Sequence, residues 1–147
     1  MIPSFNTDGN LPPGIHWAEW PEIVFRFGIN NHRRRLLEGL YNALTALKQA
    51  GCKTAFIDGS FVTKKDYPQD FDACWNLIDV DPTLLDPVLL DFSQGRAAQK
   101  NKYLGELFPA HIFIGNNQPT FLEFFQTDKN TGRRKGIIAI SLETLDL

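Results

Sequence analysis

The residues best placed to do chemistry lie in Ile57–Trp75, IDGSFVTKKDYPQDFDACW. Asp70 and Asp72 stand one phenylalanine apart inside a stretch that otherwise reads as a buried strand. Side chains alternate along a strand, so the two aspartates would share one face, with Phe71 and Ala73 on the other. Two carboxylates a few ångströms apart repel, and each raises the other's pKa. A divalent cation relieves that repulsion, and Mg2+ typically takes one or two carboxylates together with substrate phosphates. On its own, however, an Asp-x-Asp pair is more often two solvated side chains on an edge strand.

Nine residues separate Gly59-Ser60 from Asp70. A glycine lets the backbone approach a ligand closely, and Ser60 with the amides after it can form a nest for phosphate oxygens. Lys64 and Lys65 follow in the same loop, where they could meet a triphosphate. A phosphate cradle and a metal-binding pair on neighbouring strands would form one site. Asp58, just before the glycine, reads as the end of a strand or a turn cap. His16 and His32 are isolated from any nucleophile, so no hydrolase triad is supported.

The elements that must position these residues are legible from periodicity. Arg33–Ala50 carries Leu36, Leu37, Leu40, Tyr41, Leu44 and Leu47 at helical spacing, with Asn30 or Asn31 as a cap and Gly51 as a stop. CKTAFID, FDACWNLIDV and AHIFIG read as strands, and residues 81–108 as two helical pieces, the second ended by Pro109. PTFLEFFQ and KGIIAISL flank the turn-rich TDKNTGRR as a closing hairpin whose first arm could instead be a helical turn. Trp17, Trp20, Ile23, Val24 and Phe27 suit a short helix, and residues 1–30 form a lead-in packed on a single domain, 1–147. The expected class is α+β (mixed α/β): a small mixed sheet flanked by helices.

Composition sets the outer bounds. The 147 residues are 43% hydrophobic and 22% charged, with a net charge of −2 and a pI of about 5.9. No global basic field therefore argues for nonspecific nucleic-acid binding. Of the basic clusters, Arg33–Arg35 and Arg133–Lys135 read as solvated faces. Cys52 and Cys74 read as buried small hydrophobes in a reducing compartment. No leader or membrane-length apolar run is visible, so a cytoplasmic protein without a membrane partner is expected.

Gly59-Ser60, a nine-residue gap and Asp70-Phe71-Asp72 together resemble the signature of the nucleotidyltransferase superfamily, the DNA polymerase β-like fold. The small bacterial minimal nucleotidyltransferases, often members of toxin–antitoxin pairs, are similar in size. LPPGIHWAEW, IDGSFVTKKDYPQDFDACW and FLEFFQTDKNTGRRKGIIAI also resemble an uncharacterised bacterial family within that fold. The resemblance implies transfer of a nucleotide from a nucleoside triphosphate, ATP first among them, to an acceptor hydroxyl with Mg2+ or Mn2+. It makes Asp70 and Asp72 metal ligands and gives the β/γ-phosphates to Gly59 and Ser60. It also implies a toxin–antitoxin or defence setting, with a cognate toxin or antitoxin as protein partner and tRNA among the possible acceptors.

A third carboxylate is expected on a later strand, and PAHIFIG offers His111 at that place. Mg2+ prefers hard oxygen ligands, so His111 would impair catalysis more than nucleotide binding. Glu123, or the more distant Glu106, could supply the missing group. Two expectations follow: an active nucleotidyltransferase, or a catalytically impaired member of the fold that acts by binding a protein partner.

Overall fold

The computed structural model describes residues 1–145. In chain order its elements are β1 (Gly14–Trp17), α1 (Trp20–Phe27), α2 (Asn31–Gln49), β2 (Thr54–Asp58) and β3 (Phe71–Trp75). Then come α3 (Ser93–Tyr103), β4 (Gly105–Pro109), α4 (Phe121–Phe125) and β5 (Gly136–Ser141). The strands form one mixed sheet in the order β1-β5-β2-β3-β4. β2 runs antiparallel to both β3 and β5, while β1–β5 and β3–β4 are parallel pairs. The fold is α+β, as the sequence suggests.

Helix α2 forms where its apolar stripe requires it. The Asn30 side chain accepts a hydrogen bond from the Arg33 amide at 2.8 Å, capping the first turn. Leu36, Leu37, Leu40, Leu44 and Leu47 are buried and belong to one core with Ala55, Ile57, Phe71, Ala73, Trp75, Leu107, Ile138 and Ile140. Strand alternation sends the intervening residues to the opposite face. There Phe56, Cys74, Ala110, Ile137 and Ala139 pack under Phe121, Leu122 and Phe125, and Phe108 stacks on Phe121 with ring centroids 4.3 Å apart.

Several expected elements are corrected. Residues 14–17, expected in the lead-in, are a strand that extends the sheet by pairing with β5. FDACWNLIDV is a strand only as far as Trp75, and the 81–92 piece contains a short 3-10 turn at Pro87–Leu90 instead of an α-helix. The second helical piece stops at Tyr103, because Leu104 takes a left-handed conformation (φ 69°) and releases Gly105–Pro109 as β4. Gly105 suits that strand because a Cβ there would meet the Phe71 ring at 2.6 Å. AHIFIG is therefore turn and loop, with one bridge between Phe113 and Thr120. The first arm of the expected hairpin is the helical turn α4, and β5 finds its partners elsewhere.

Arg33 is not a solvated cation. It is 1% exposed and donates to the carbonyls of Phe61 at 2.7 Å, Thr63 at 2.9 Å, Lys65 at 3.2 Å and Phe27 at 3.3 Å. The guanidinium also lies 5.0 Å from the Phe61 ring centre. One planar fork thus fastens the loop after β2 onto the α1–α2 corner, which a lysine ammonium could not span. The N-terminal segment ties that loop to the 127–135 loop. Lys64 donates its amide to Gly9 at 2.9 Å, Asn10 reaches Asp128 at 3.1 Å, and Gly136 donates to Leu11 at 3.0 Å. Cys52 and Cys74 are both free and buried. Among the described residues no helix is long and apolar enough to cross a membrane.

Replacing Arg33 by lysine or alanine should therefore strand buried carbonyls. We expect a stability loss of about 3 kcal/mol, read as a lower urea midpoint at unchanged slope. A loss below about 1 kcal/mol would show that the loop does not depend on this clamp.

Candidate carboxylate site

The site is written in the strand register. Asp58, the last residue of β2, lies opposite Asp72 on β3, and Asp72 lies beside Glu106 on β4. Alternation places all three on the Phe56–Cys74–Phe108 face, away from α2. Adjacent strands are about 4.8 Å apart, so three carboxylates cross the sheet in a row. Asp70, just before β3, joins this row at its edge. Its charge acts on Asp72, and Glu106 acts on Asp70. Gly59 turns the chain at φ 76°, and a Cβ there would lie 2.1 Å from the Asp72 Oδ2. Only glycine allows both the turn and that approach.

The carboxylates differ in how they are compensated. Glu106 is paired with Lys100 at 3.0 Å and Arg96 at 3.4 Å. No lysine or arginine nitrogen lies within 4.0 Å of a carboxylate oxygen of Asp58, Asp70 or Asp72 among the described residues. Burial pushes the Asp72 carboxyl up to about 7, reinforced by Asp70 and Glu106 and opposed by Lys135 and Lys129. Asp70 is raised by burial and Glu106, against Lys100, Arg96 and Lys65. Asp58 is fully buried; burial and then Asp72 hold its carboxyl well above the usual range. Its Oδ2 accepts a weak hydrogen bond from the Cys74 thiol at 3.8 Å, and its Oδ1 has no partner.

Of the expected residues, the structure brings together Asp70, Asp72 and Gly59, with Ser60 in the same turn and Lys65 close enough to act on Asp70. Lys64 instead faces the N-terminal segment, lining with Lys65, Thr63, Asp66, Asp8 and Asn10 a polar groove of about 500 Å³. His111 is not in the site. It is exposed in the turn after β4. The β3–β4 register sets Glu106 beside Asp72 but Pro109 beside Trp75, so His111 lies past the opposite end of the strand. The cause is the left-handed Leu104, which starts β4 at residue 105 and not at 110. Glu123 is exposed and paired with Arg134 at 3.0 Å.

Sequence reasoning missed Asp58, Lys129 and Lys135 and ranked Glu106 too low. Extending the TAFID alternation by one step would have set Asp58 on the Phe56 face. Among the described residues, no three His, Cys, Asp or Glu side chains converge closely enough to hold a metal ion as they stand.

The raised Asp72 carboxyl fixes the sign of a pH effect. An unfolded aspartate titrates near 3.9, so between about 4 and about 7 the native state binds more protons, and stability contributed here falls as pH rises. In chelator-treated protein, Asp72→Asn should gain stability relative to wild type across that interval, with the gap levelling off above it. A gap independent of pH would contradict the assigned environment.

No curated protein and no solved structure matches the chain. The sequence model of one family matches residues 3–141, nearly the whole chain, and its description is "Family of unknown function (DUF6932)". Since the match spans the carboxylate row, the Gly59 turn and all five strands, the chain belongs to that family of unknown function.

Proposed function

We propose that this protein transfers a nucleotide from a nucleoside triphosphate to an acceptor hydroxyl, with Asp70, Asp72 and Glu106 as the working carboxylates. The observation that carries this reading is the register of Asp72 beside Glu106, with Asp70 adjoining and the Gly59 turn against Asp72. That register sets a carboxylate, Glu106, where the sequence reading puts His111, which favours the active over the catalytically impaired reading. Nucleotidyl transfer itself still rests on the resemblance of Gly59-Ser60 and Asp70-Phe71-Asp72.

The donor chemistry is the kind Mg2+ or Mn2+ prefers, because Asp70, Asp72 and Glu106 all offer carboxylate oxygens. The side chains would need to rotate towards one another, since no three converge now. Asp70, Asp72 and Glu106 would hold the ions. Bound there, divalent cations would neutralise triphosphate charge and stabilise the attacking and leaving oxygens. Asp72 occupies the centre of the row. Glu106, steadied by Lys100 and Arg96, is the group positioned to take the proton of the acceptor hydroxyl. Lys65, whose charge acts on Asp70, and Lys129 and Lys135, whose charges act on Asp72, bring positive charge suited to phosphate oxygens. ATP is the first candidate donor, and the acceptor is a hydroxyl of a protein, a tRNA or a small molecule. A toxin–antitoxin setting, with a cognate toxin or antitoxin as partner, follows from the same resemblance.

Millimolar ATP with Mg2+ should raise the melting temperature, since ligand at a hundred times its Kd adds about 2.7 kcal/mol. Asp70→Asn should remove the shift. In labelling by radiolabelled ATP, Glu106→Gln should lower transfer on the order of a hundredfold, and His111→Ala should leave it unchanged. Absence of any shift would defeat the reading. A shift without transfer by the wild type would favour the partner-binding alternative.

A further inference from the structure

We propose that the acceptor hydroxyl of this site is a ribose hydroxyl, and that the nucleobase attached to that ribose stacks on Phe92, the open end of a stack of rings beside Glu106. The inference rests on the proposed nucleotidyl transfer and adds to it the chemical class of the acceptor. Three observations carry it. Phe121 and Phe108 have ring centroids 4.3 Å apart at 8°, and Phe108 and Phe92 follow at 5.8 Å and 9°, so the three rings form one stack. Phe108 is 8% exposed but Phe92 is 40% exposed, and among the described residues no other aromatic ring stacks on Phe92. Arg96 joins the stack to the carboxylates. Its guanidinium lies 5.8 Å from the Phe108 ring centre and 3.4 Å from Glu106, and its buried Nε has no hydrogen-bond partner.

The chain around Phe92 is held for this purpose. Asp91 accepts hydrogen bonds from the Ser93 amide at 3.1 Å and the Ser93 hydroxyl at 2.6 Å, which pins the backbone on both sides of the ring. Gln94, Gly95 and Arg96 then take left-handed conformations (φ 50°, 65° and 63°), a strain that the two non-glycine residues bear and the fold must offset. A fixed aromatic face stacks any base, whatever the sequence. Phe108 stands two residues after Glu106 on the same strand face, so the stack begins about 7 Å from that carboxylate, on the scale of one ribose. β4 lies on the far side of β3 from β2 and the Gly59 turn, to which the donor phosphates are assigned. The base on Phe92 therefore belongs to the acceptor. Its ribose oxygen bonds to the α-phosphorus of the triphosphate, its proton passes to Glu106, and pyrophosphate leaves with the electrons of the broken P–O bond. Helix α3 contributes Arg96, Lys100 and Lys102 and no acid, which suits a neighbouring phosphate. A net charge of −2 gives no broad electrostatic grip, so one stacked base fits this surface better than a long tract of nucleic acid.

The test is the fluorescence anisotropy of hexaadenylate RNA, labelled with fluorescein at its 5′ end, on the full chain without ATP or metal. Phe92→Leu keeps the apolar bulk and loses the ring, so it should weaken binding about tenfold, whereas Phe92→Trp should match or exceed wild type. Displacement of the RNA by millimolar AMP identifies a free nucleotide as the acceptor, and resistance to AMP identifies a strand end; both keep the base on Phe92. The melting shift with ATP and Mg2+ should be the same in Phe92→Leu as in wild type. RNA binding that Phe92→Leu leaves unchanged, or a wild type that binds neither RNA nor AMP, overturns the inference, and an intact ATP shift then leaves the proposed activity standing. An ATP shift lost in Phe92→Leu puts the donor's base on the ring and overturns the acceptor assignment. Phe92-dependent RNA binding by a wild type that labels no acceptor from radiolabelled ATP defeats the proposed activity and the acceptor role together.

Discussion

Three carboxylates in register on neighbouring strands are the constraint around which the rest of this molecule is arranged. Asp58, Asp72 and Glu106 stand side by side across β2, β3 and β4, and Asp70 adds a fourth carboxylate at the edge. Nothing in the local strand chemistry favours this. Directly opposed like charges destabilise a sheet, and burial penalises the charged form of each group further. Among the described residues, Glu106 alone of these four has ion-pair partners. The sheet tolerates the row because its other face is a continuous apolar core built on α2, and because aromatic packing of Phe108, Phe121 and Phe125 closes part of the face that carries the acids.

The loops beside the row are tied down by hydrogen bonds from two directions. Arg33 reaches out of α2 to carbonyls at positions 61, 63 and 65, so the turn after Gly59 is fixed to the helical layer. Residues 9–11 then connect that turn to the 127–135 loop, which carries Lys129 and Lys135 towards Asp72. Positive charge is thus delivered to the margins of the site while its centre is left uncompensated. Such an arrangement suits a site whose missing charge arrives with a ligand, since perturbed carboxylates and fixed surrounding cations cluster where function requires them.

How much of this was legible in the sequence depends on the range of the cause. The α2 stripe, its asparagine cap, strand β2 and the position of Asp72 follow from local spacing, and each is found in the structure. The Gly59 turn was visible as a glycine, though its close approach to Asp72 was not. Arg33 reads as part of a solvated face because it stands among arginines, and the distant carbonyls of the 61–65 loop reveal its role. The third carboxylate was misplaced through a backbone event: Leu104 in a left-handed conformation has no signal in residue type. With β4 set five residues too late, the sequence reading puts His111 beside Asp72, where the β3–β4 register sets Glu106. The parallel pairing of β1 with β5, across more than a hundred residues, lies beyond any local pattern.

The central claim is that the uncompensated carboxylates are completed by a divalent cation. Anomalous scattering from crystals grown with Mn2+ and a non-hydrolysable nucleoside triphosphate tests it most directly. The account predicts a Mn2+ peak in coordination with Asp72 and with at least one of Asp70 and Glu106, and the triphosphate on the Gly59–Ser60 side. Ordered triphosphate away from these residues, or a carboxylate row without a peak at saturating Mn2+, would contradict it.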